Sequence, residues 1–310
     1  MQSLSVSAKT EQLPTSDAPD TGMLSLWPES APNGPGDVLS SLPAALLPPK
    51  RTMEAVLLQE PGSYEPWEVA KALRAAKLPV QILRGSTANL RAHSDLLRSG
   101  ACAPVGNADF LRAAMRATGI QEPVWTCYPR ALATHMLQQP RRTPASRALA
   151  ATQPLFVKPV SGKPFKGFVL RQDRDSLDGF ARQQLERLLD LPRSELVWIA
   201  APLRIVSEWR YYVLEGEVVG FSRARPSDGA GLPTPQLEDV SGTIAALPSD
   251  CAYALDVAVL DTGQVTVLGA RDAWALELIP FGAQPPAVLD YLKMLWLRWS
   301  ALWATTQLKE

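Results

Sequence analysis

This 310-residue sequence has no imbalance of charge: Lys and Arg total 31, and Asp and Glu total 31. A chain without net charge has no bulk attraction for nucleic acid or an anionic membrane, although a local basic groove stays open to it. Cysteine and histidine are also scarce. Cys102, Cys127 and Cys251 lie far apart, and His93 and His135 do not complete a zinc-ligand spacing or a disulfide framework with them. That pattern suits a reducing compartment, so a cytoplasmic location is expected. Long hydrophobic runs are missing as well. No window approaches the roughly 18 uninterrupted apolar residues that a membrane span needs, and no basic stretch followed by an apolar core opens the chain.

What the sequence does contain is ordinary globular texture: 46% hydrophobic and 20% charged residues exclude wholesale disorder and coiled coil. At about 150 residues per domain, the length suits one large or two modest units. Residues 1–50 hold eight of the 28 prolines, mixed with Ser, Asp and Gly, and read as a flexible tail in which Leu24, Leu26 and Trp27 could anchor on a partner. From residue 53 the pattern becomes strand (53–59), helix (64–77), strand (78–83). A short strand then ends at Pro104-Val105-Gly106-Asn107, and a helix runs to a stop at Gly119. Residues 53–125 therefore read as a small α/β domain with a parallel sheet. Residues 126–153 read as a basic linker with one helix, and 154–308 as an α+β region of paired strands. Its C-terminal helix gathers Leu292, Leu295, Trp296, Trp299 and Trp303 on one side, a core-facing stripe rather than a membrane-lying one, since only Lys293 and Arg298 supply basic charge there.

Three hairpins in this region carry the chemistry. In the first, Phe156-Val157-Lys158-Pro159 leads into a loop with Lys163 and Lys166, an arrangement that can present ammonium groups to a polyphosphate or form a solvated basic turn. It is not a P-loop, because Pro164 follows Gly162-Lys163 where Ser or Thr is required. In the second, a two-residue turn at Glu215-Gly216 sets Arg210 opposite Phe221 and Glu208 opposite Arg223. Glu208, Arg210 and Arg223 then share one face, with Trp209, Tyr211 and Val213 on the other. The shared face is either a cross-strand salt bridge or a pair of guanidinium groups suited to phosphate or carboxylate oxygens. In the third, Asp256 sits inside an apolar strand and needs a partner. Pairing around Thr262-Gly263 puts it opposite Gly269, with Arg271 diagonally adjacent.

In this order the three pieces resemble the ATP-grasp family, in particular a compact clade with an FVKP strand, a Lys-x-Phe-x-Gly loop, a Glu-Trp-Arg strand and a Tyr-x-x-Asp-Val strand. The resemblance covers about 105–280, with 53–104 looking like the small domain that precedes such a core. It implies an α+β ATP-grasp fold of two subdomains behind a small α/β domain. It also implies a carboxylate–amine (peptide-type) ligase that binds ATP with magnesium and forms an acyl phosphate on small-molecule or peptide substrates. Carried across, Lys158, Lys163 and Lys166 would contact the phosphates, and Trp198 would lie on the strand lining the adenine. Glu208 and Arg271 would border the nucleotide, and Arg210 and Arg223 would steady the transferring group. Asp256 and Asp272 would serve the metal. Such chemistry rests on positioning and charge neutralisation, so it requires no protein nucleophile.

The sequence departs from the family at one place. Where the family supplies Glu-x-Asn for the metals, this chain has Gly269-Ala270-Arg271, followed by an Asp272-Ala273-Trp274-Ala275-Leu276 that keeps the family's continuation. Magnesium wants several oxygen ligands in near-octahedral order, and a guanidinium opposes it. A shifted alignment on Glu277 restores the acid without the amide. Two readings follow: a ligase in which Asp272 or Glu277 assists the metal or Arg271 replaces its charge, or a degenerate protein that keeps nucleotide binding or a protein-interaction role. A plain α/β module facing a sugar phosphate or nucleic acid is the unrelated alternative, and the balanced charge weighs against its nucleic-acid form.

Overall fold

The computed structural model describes residues 52–60, 64–123, 127–160, 164–224, 231–249, 251–279 and 284–307. All of them belong to the second of two compact units, Gly34–Glu310. The tail of residues 1–50, with Trp27, and the loop lysine Lys163 lie outside the described residues.

The N-terminal strands β1 (Ala55–Gln59), β2 (Gln81–Gly85) and β3 (Cys102–Val105) form a parallel sheet in the order β2-β1-β3. Helix α1 (Tyr64–Ala76) makes the first crossover, as parallel pairing requires, and a short helix α2 (Ser94–Arg98) precedes β3. β2 begins later than the 78–83 expectation, because Lys77 adopts φ 51° and the Val80 amide closes a turn onto the Leu78 carbonyl at 2.8 Å. Helix α3 (Ala108–Thr118) starts where the Asn107 side chain accepts the Phe110 amide at 2.9 Å and stops at Gly119, whose φ of 80° suits a residue without Cβ. It buries Phe110, Leu111 and Met115 against the sheet.

The stretch read as a linker is instead structural. Strand β4 (Arg141–Pro144) pairs antiparallel with β7 (Leu196–Ala200), at the edge of a sheet ordered β4-β7-β5-β6 with β5 (Leu155–Pro159) and β6 (Phe168–Leu170). Helix α4 (Ala145–Leu149) follows β4 directly and buries Ala145 and Ala148 in the same core. Helix α5 (Gly179–Leu189) is capped by Asp178, which accepts the Ala181 amide at 2.7 Å. It lays Ala181, Leu185 and Leu188 on Val157, Phe168, Val197 and Ile199, so one face of this sheet is core and the other is left for the site.

The third sheet, β11-β10-β8-β9, comprises β8 (Ile205–Leu214), β9 (Glu217–Arg223), β10 (Ala252–Leu260) and β11 (Val265–Asp272). Trp209, Tyr211, Val213, Tyr253 and Val257 pack on one face beneath Val240 of α6 (Leu237–Ala245). On the other face, Tyr212, Leu214, Ala252 and Ala254 share a core with β1, β3 and helix α7 (Val288–Gln307). The tryptophan stripe of α7 is core as expected: Trp299 is buried, and its indole N–H donates to the Leu97 carbonyl at 3.2 Å. This helix joins the small parallel sheet to the large antiparallel one. Among the described residues, no helix is long and apolar enough to cross a membrane.

Candidate functional site

The two antiparallel sheets face each other across a cleft of about 1530 Å³. One wall is the uncovered face of β4-β7-β5-β6. Arg142, Trp198 and Lys158 stand side by side across β4, β7 and β5 by strict register, and Phe156 and Ala200 form the next row. The Arg142 guanidinium lies 4.8 Å from the Trp198 ring centroid, a cation–π contact. Lys166 is exposed on the loop after β5. Its backbone amide donates to the Oε1 of buried Gln184 at 2.7 Å, which pins that loop to α5 at the rim of the cleft.

The opposite wall is the end of the β8–β10–β11 face that α7 leaves uncovered. Glu208, Arg210, Asp256 and Arg271 line it, so these four share one hollow with Lys158, Lys166 and Trp198. The Asp256–Gly269 pairing is the expected one, with Arg271 opposite Ala254, and on its other side Asp256 pairs with Arg210, which the sequence did not indicate.

The electrostatics of this wall are closed on themselves. Asp256 takes Arg210 Nε at 2.8 Å and Nη2 at 3.4 Å on one side, and Arg271 Nε on the other. Burial by itself would raise the Asp256 carboxyl, but the Arg271 and then the Arg210 guanidinium outweigh it and bring it down to about 2. Burial likewise disfavours charged Arg271, and Asp256 together with Glu208 reverses that and raises its value.

Three expected roles change. Asp256 as a metal ligand does not fit, because each carboxylate oxygen already accepts a guanidinium and the neighbouring charges repel a dication. Asp272 does not fit either. It is buried and takes Arg298 Nε and Nη2 of α7 at 2.6 Å each while also accepting the Trp274 amide, so it anchors a helix. Arg223 is not among the residues lining the cleft. A bulge between Tyr212 and Val213 shifts the hairpin register, setting Arg223 opposite Trp209 and on the face of Trp209, whose ring lies 5.5 Å from its guanidinium carbon.

The glycine at 269, where the resemblance would place a glutamate, has a structural reason. Its φ is 145°, and a Cβ there would lie 2.7 Å from the Cys127 carbonyl oxygen, which accepts the Ala270 amide at 2.9 Å. The main chain of 127–128 therefore fills the place from which a side chain would project. Tyr128 follows into the cleft, edge-on to Trp198 at 4.8 Å and with its ring 5.4 Å from Lys158 Nζ, and burial pushes its phenol well up. Among the described residues, no group of three or more His, Cys, Asp or Glu side chains converges on a metal position. The groups around Asp256 are guanidinium and, across the cleft, ammonium donors, which suit phosphate oxygens, while Glu208 and Glu277 are carboxylates lining the same cleft.

Sequence reading missed Tyr128, Arg142 and the anchoring role of Arg298. Arg142 had a signal in retrospect, since it lies in a run whose Thr-Pro end leads straight into a helix. Tyr128 had none, because its position depends on a contact between segments 142 residues apart in the chain, Cys127 and Gly269.

Residues 91–301 match the model of an ATP-grasp domain family, the third family of its clade. A search of curated proteins finds no match. Among solved structures, the ATP-grasp ligase PsnB complexed with a phosphomimetic variant of its minimal precursor, Mg and ADP is similar at a TM-score of 0.45 and 15% identity, covering 79% of this chain and 98% of that one. The RimK domain ATP-grasp protein from Sphaerobacter thermophilus gives 0.43 and 16% over 82% and 98%. N5-carboxyaminoimidazole ribonucleotide synthetase from Thermotoga maritima gives 0.44 and 8% over 78% and 76%.

Proposed function

From the premise that the chain belongs to the ATP-grasp domain family, we propose that it binds ATP between its two antiparallel sheets and has given up the family's metal-assisted ligation. Lys158 and Lys166, with Lys163 three positions earlier in the sequence, take the phosphates. Trp198 and the end of β7 border the base, and Arg142 and Tyr128 complete that side. The observation that carries the reading is the enclosure of Asp256 between Arg210 and Arg271. In this arrangement the acid that should hold a metal is spent on holding two arginines in place.

The chain's own residues still supply orientation and charge. Lys158 projects from β5, which is paired on both sides, and Lys166 from a loop whose backbone is fixed by Gln184, so the main chain beneath both ammonium groups is already ordered before binding. ATP-dependent thermal stabilisation should be seen in the wild type and vanish in Lys158→Ala, and a full shift in that variant would remove this site. An ADP-release assay over carboxylate and amine panels should show no turnover above background.

A second reading, the carboxylate–amine ligase, draws on one feature: Glu208 and Glu277 line the same cleft, which exceeds the roughly 300–1,000 Å³ of a usual small-molecule pocket and so has room for a second substrate. Substrate-dependent ADP release would favour it.

A further inference from the structure

We propose that this cleft takes its nucleotide as the metal-free anion, with the Arg271 guanidinium standing where a magnesium charge would act. The inference rests on the nucleotide-binding reading and adds the form of ligand the cleft selects. It begins from the charge on the β8–β10–β11 wall. The two guanidinium groups exceed their shared carboxylate by one positive unit, Glu208 on the same wall acts on Arg271 more weakly than Asp256 does, and Arg271, with its side chain one-third exposed, is the member that reaches the cleft. Arg210 is buried and acts behind it.

Three observations make that charge a fixed part of the wall. First, Asp256 orients Arg271 through its Nε, which leaves the outer edge of the guanidinium fork directed away from the carboxylate. Second, the backbone at Cys127 occupies the space of a residue-269 side chain, so no acid can be returned to that position without moving the 127–128 segment. Third, the Tyr128 ring touches both walls: its Cε1 lies 3.2 Å from the place of a Gly269 Cβ, and its centroid lies 5.4 Å from Lys158 Nζ. Arg271 and Lys158 therefore line one hollow from its two walls, with the Tyr128 ring set between Lys158 and the strand position two residues before Arg271.

A planar guanidinium supplies paired donors to phosphate oxygens but does not share them with a metal ion placed on the same oxygens. Magnesium on the triphosphate would cancel part of the charge that these cations attract, and it would meet Arg271 as a like charge. The wall that makes a metal unwelcome is thus also the wall that makes it unnecessary.

Calorimetric titration of the full chain with ATP, once with excess EDTA and once with excess magnesium, tests this. Binding in EDTA should equal or exceed binding in magnesium. Arg271→Asn, which keeps the Arg210–Asp256 pair, should lose about tenfold or more in EDTA, the equivalent of one charge-assisted hydrogen bond, and should recover part of that loss when magnesium is added. Wild-type binding that requires magnesium would overturn the inference and leave the nucleotide site standing. Absence of wild-type binding in both conditions would remove the nucleotide reading and this inference with it. The wild-type comparison decides the matter even if Arg271→Asn does not fold.

Discussion

The two walls of the cleft use charge in different ways. On the β4-β7-β5-β6 side, Arg142 and Lys158 lie against aromatic rings, and Lys166 is presented on a pinned loop. Packing holds the heads of Arg142 and Lys158, and a backbone hydrogen bond holds the base of Lys166, which leaves their charge for a ligand. On the β8–β10–β11 side, Arg210, Asp256 and Arg271 hold one another. Charge there is part of what keeps the wall folded. Substitutions should therefore separate: on the first wall they should alter binding, and on the second they should alter stability, with Arg271, the member that reaches the cleft, altering both.

The largest effect should come from Asp256→Ala. It strands Arg210 as a buried cation and should cost about 3–5 kcal/mol in urea denaturation. A loss below about 1 kcal/mol would show that the second wall is not held by its charges. Gly269→Glu, which writes the family's acid back, should cost about 2–4 kcal/mol, because the residue must adopt a strained φ and its Cβ meets the Cys127 carbonyl. Recovery of magnesium binding without loss of stability would contradict this.

Acid comes next in size. The Asp256 carboxyl sits at about 2 in the fold, below its unfolded value near ~4. A depressed carboxylate contributes stability that is fully present above pH ~4 and is lost as pH falls toward 2. The contribution is about 2 kcal/mol at neutral pH, and Arg271→Gln should move the acid-unfolding midpoint upward. An unchanged midpoint would mean that Arg271 adds nothing to the holding of Asp256. Arg223→Ala removes, among its contacts, a cation–π contact with Trp209 worth about 0.5–1 kcal/mol, and should leave the ATP-induced thermal shift intact. Loss of that shift would return Arg223 to the cleft. Lys158→Ala should change stability least, within about 0.5 kcal/mol, while abolishing the shift.

Much of this arrangement was legible because local pattern and tertiary structure agree. The Asp256–Gly269 pairing is the expected one although the turn is a residue longer than a two-residue turn at Thr262-Gly263, Val259 facing Val265, because a bulge between Asp256 and Val257 restores the register; the need of a buried carboxylate for a partner pointed to Arg271. The reading failed where a distant segment intervenes. Gly220 packs against Pro285 and Pro286, where a Cβ would lie 2.4 Å from the Pro286 nitrogen, and the adjoining bulge carries Arg223 to the opposite face. A one-residue slip is invisible to alternation, since Glu217–Arg223 suits either register. Strand β4 was missed for a different reason. Arg-Arg-Thr-Pro shows no apolar alternation, and an edge strand with one uncovered face needs none. Asp272 misled because the family likeness is real in sequence, yet Arg298 claims it from 26 residues away.

The segment after Tyr128 touches both sheets within two consecutive residues. The Leu137 amide donates to Thr266 Oγ1 on β11 at 2.9 Å, while the Gln138 side chain exchanges two hydrogen bonds with the main chain of Ala201, just past β7. It ties the two walls together, so parting them further would cost the Leu137–Thr266 or the Gln138–Ala201 hydrogen bonds, and a guest meets walls already fastened to each other there.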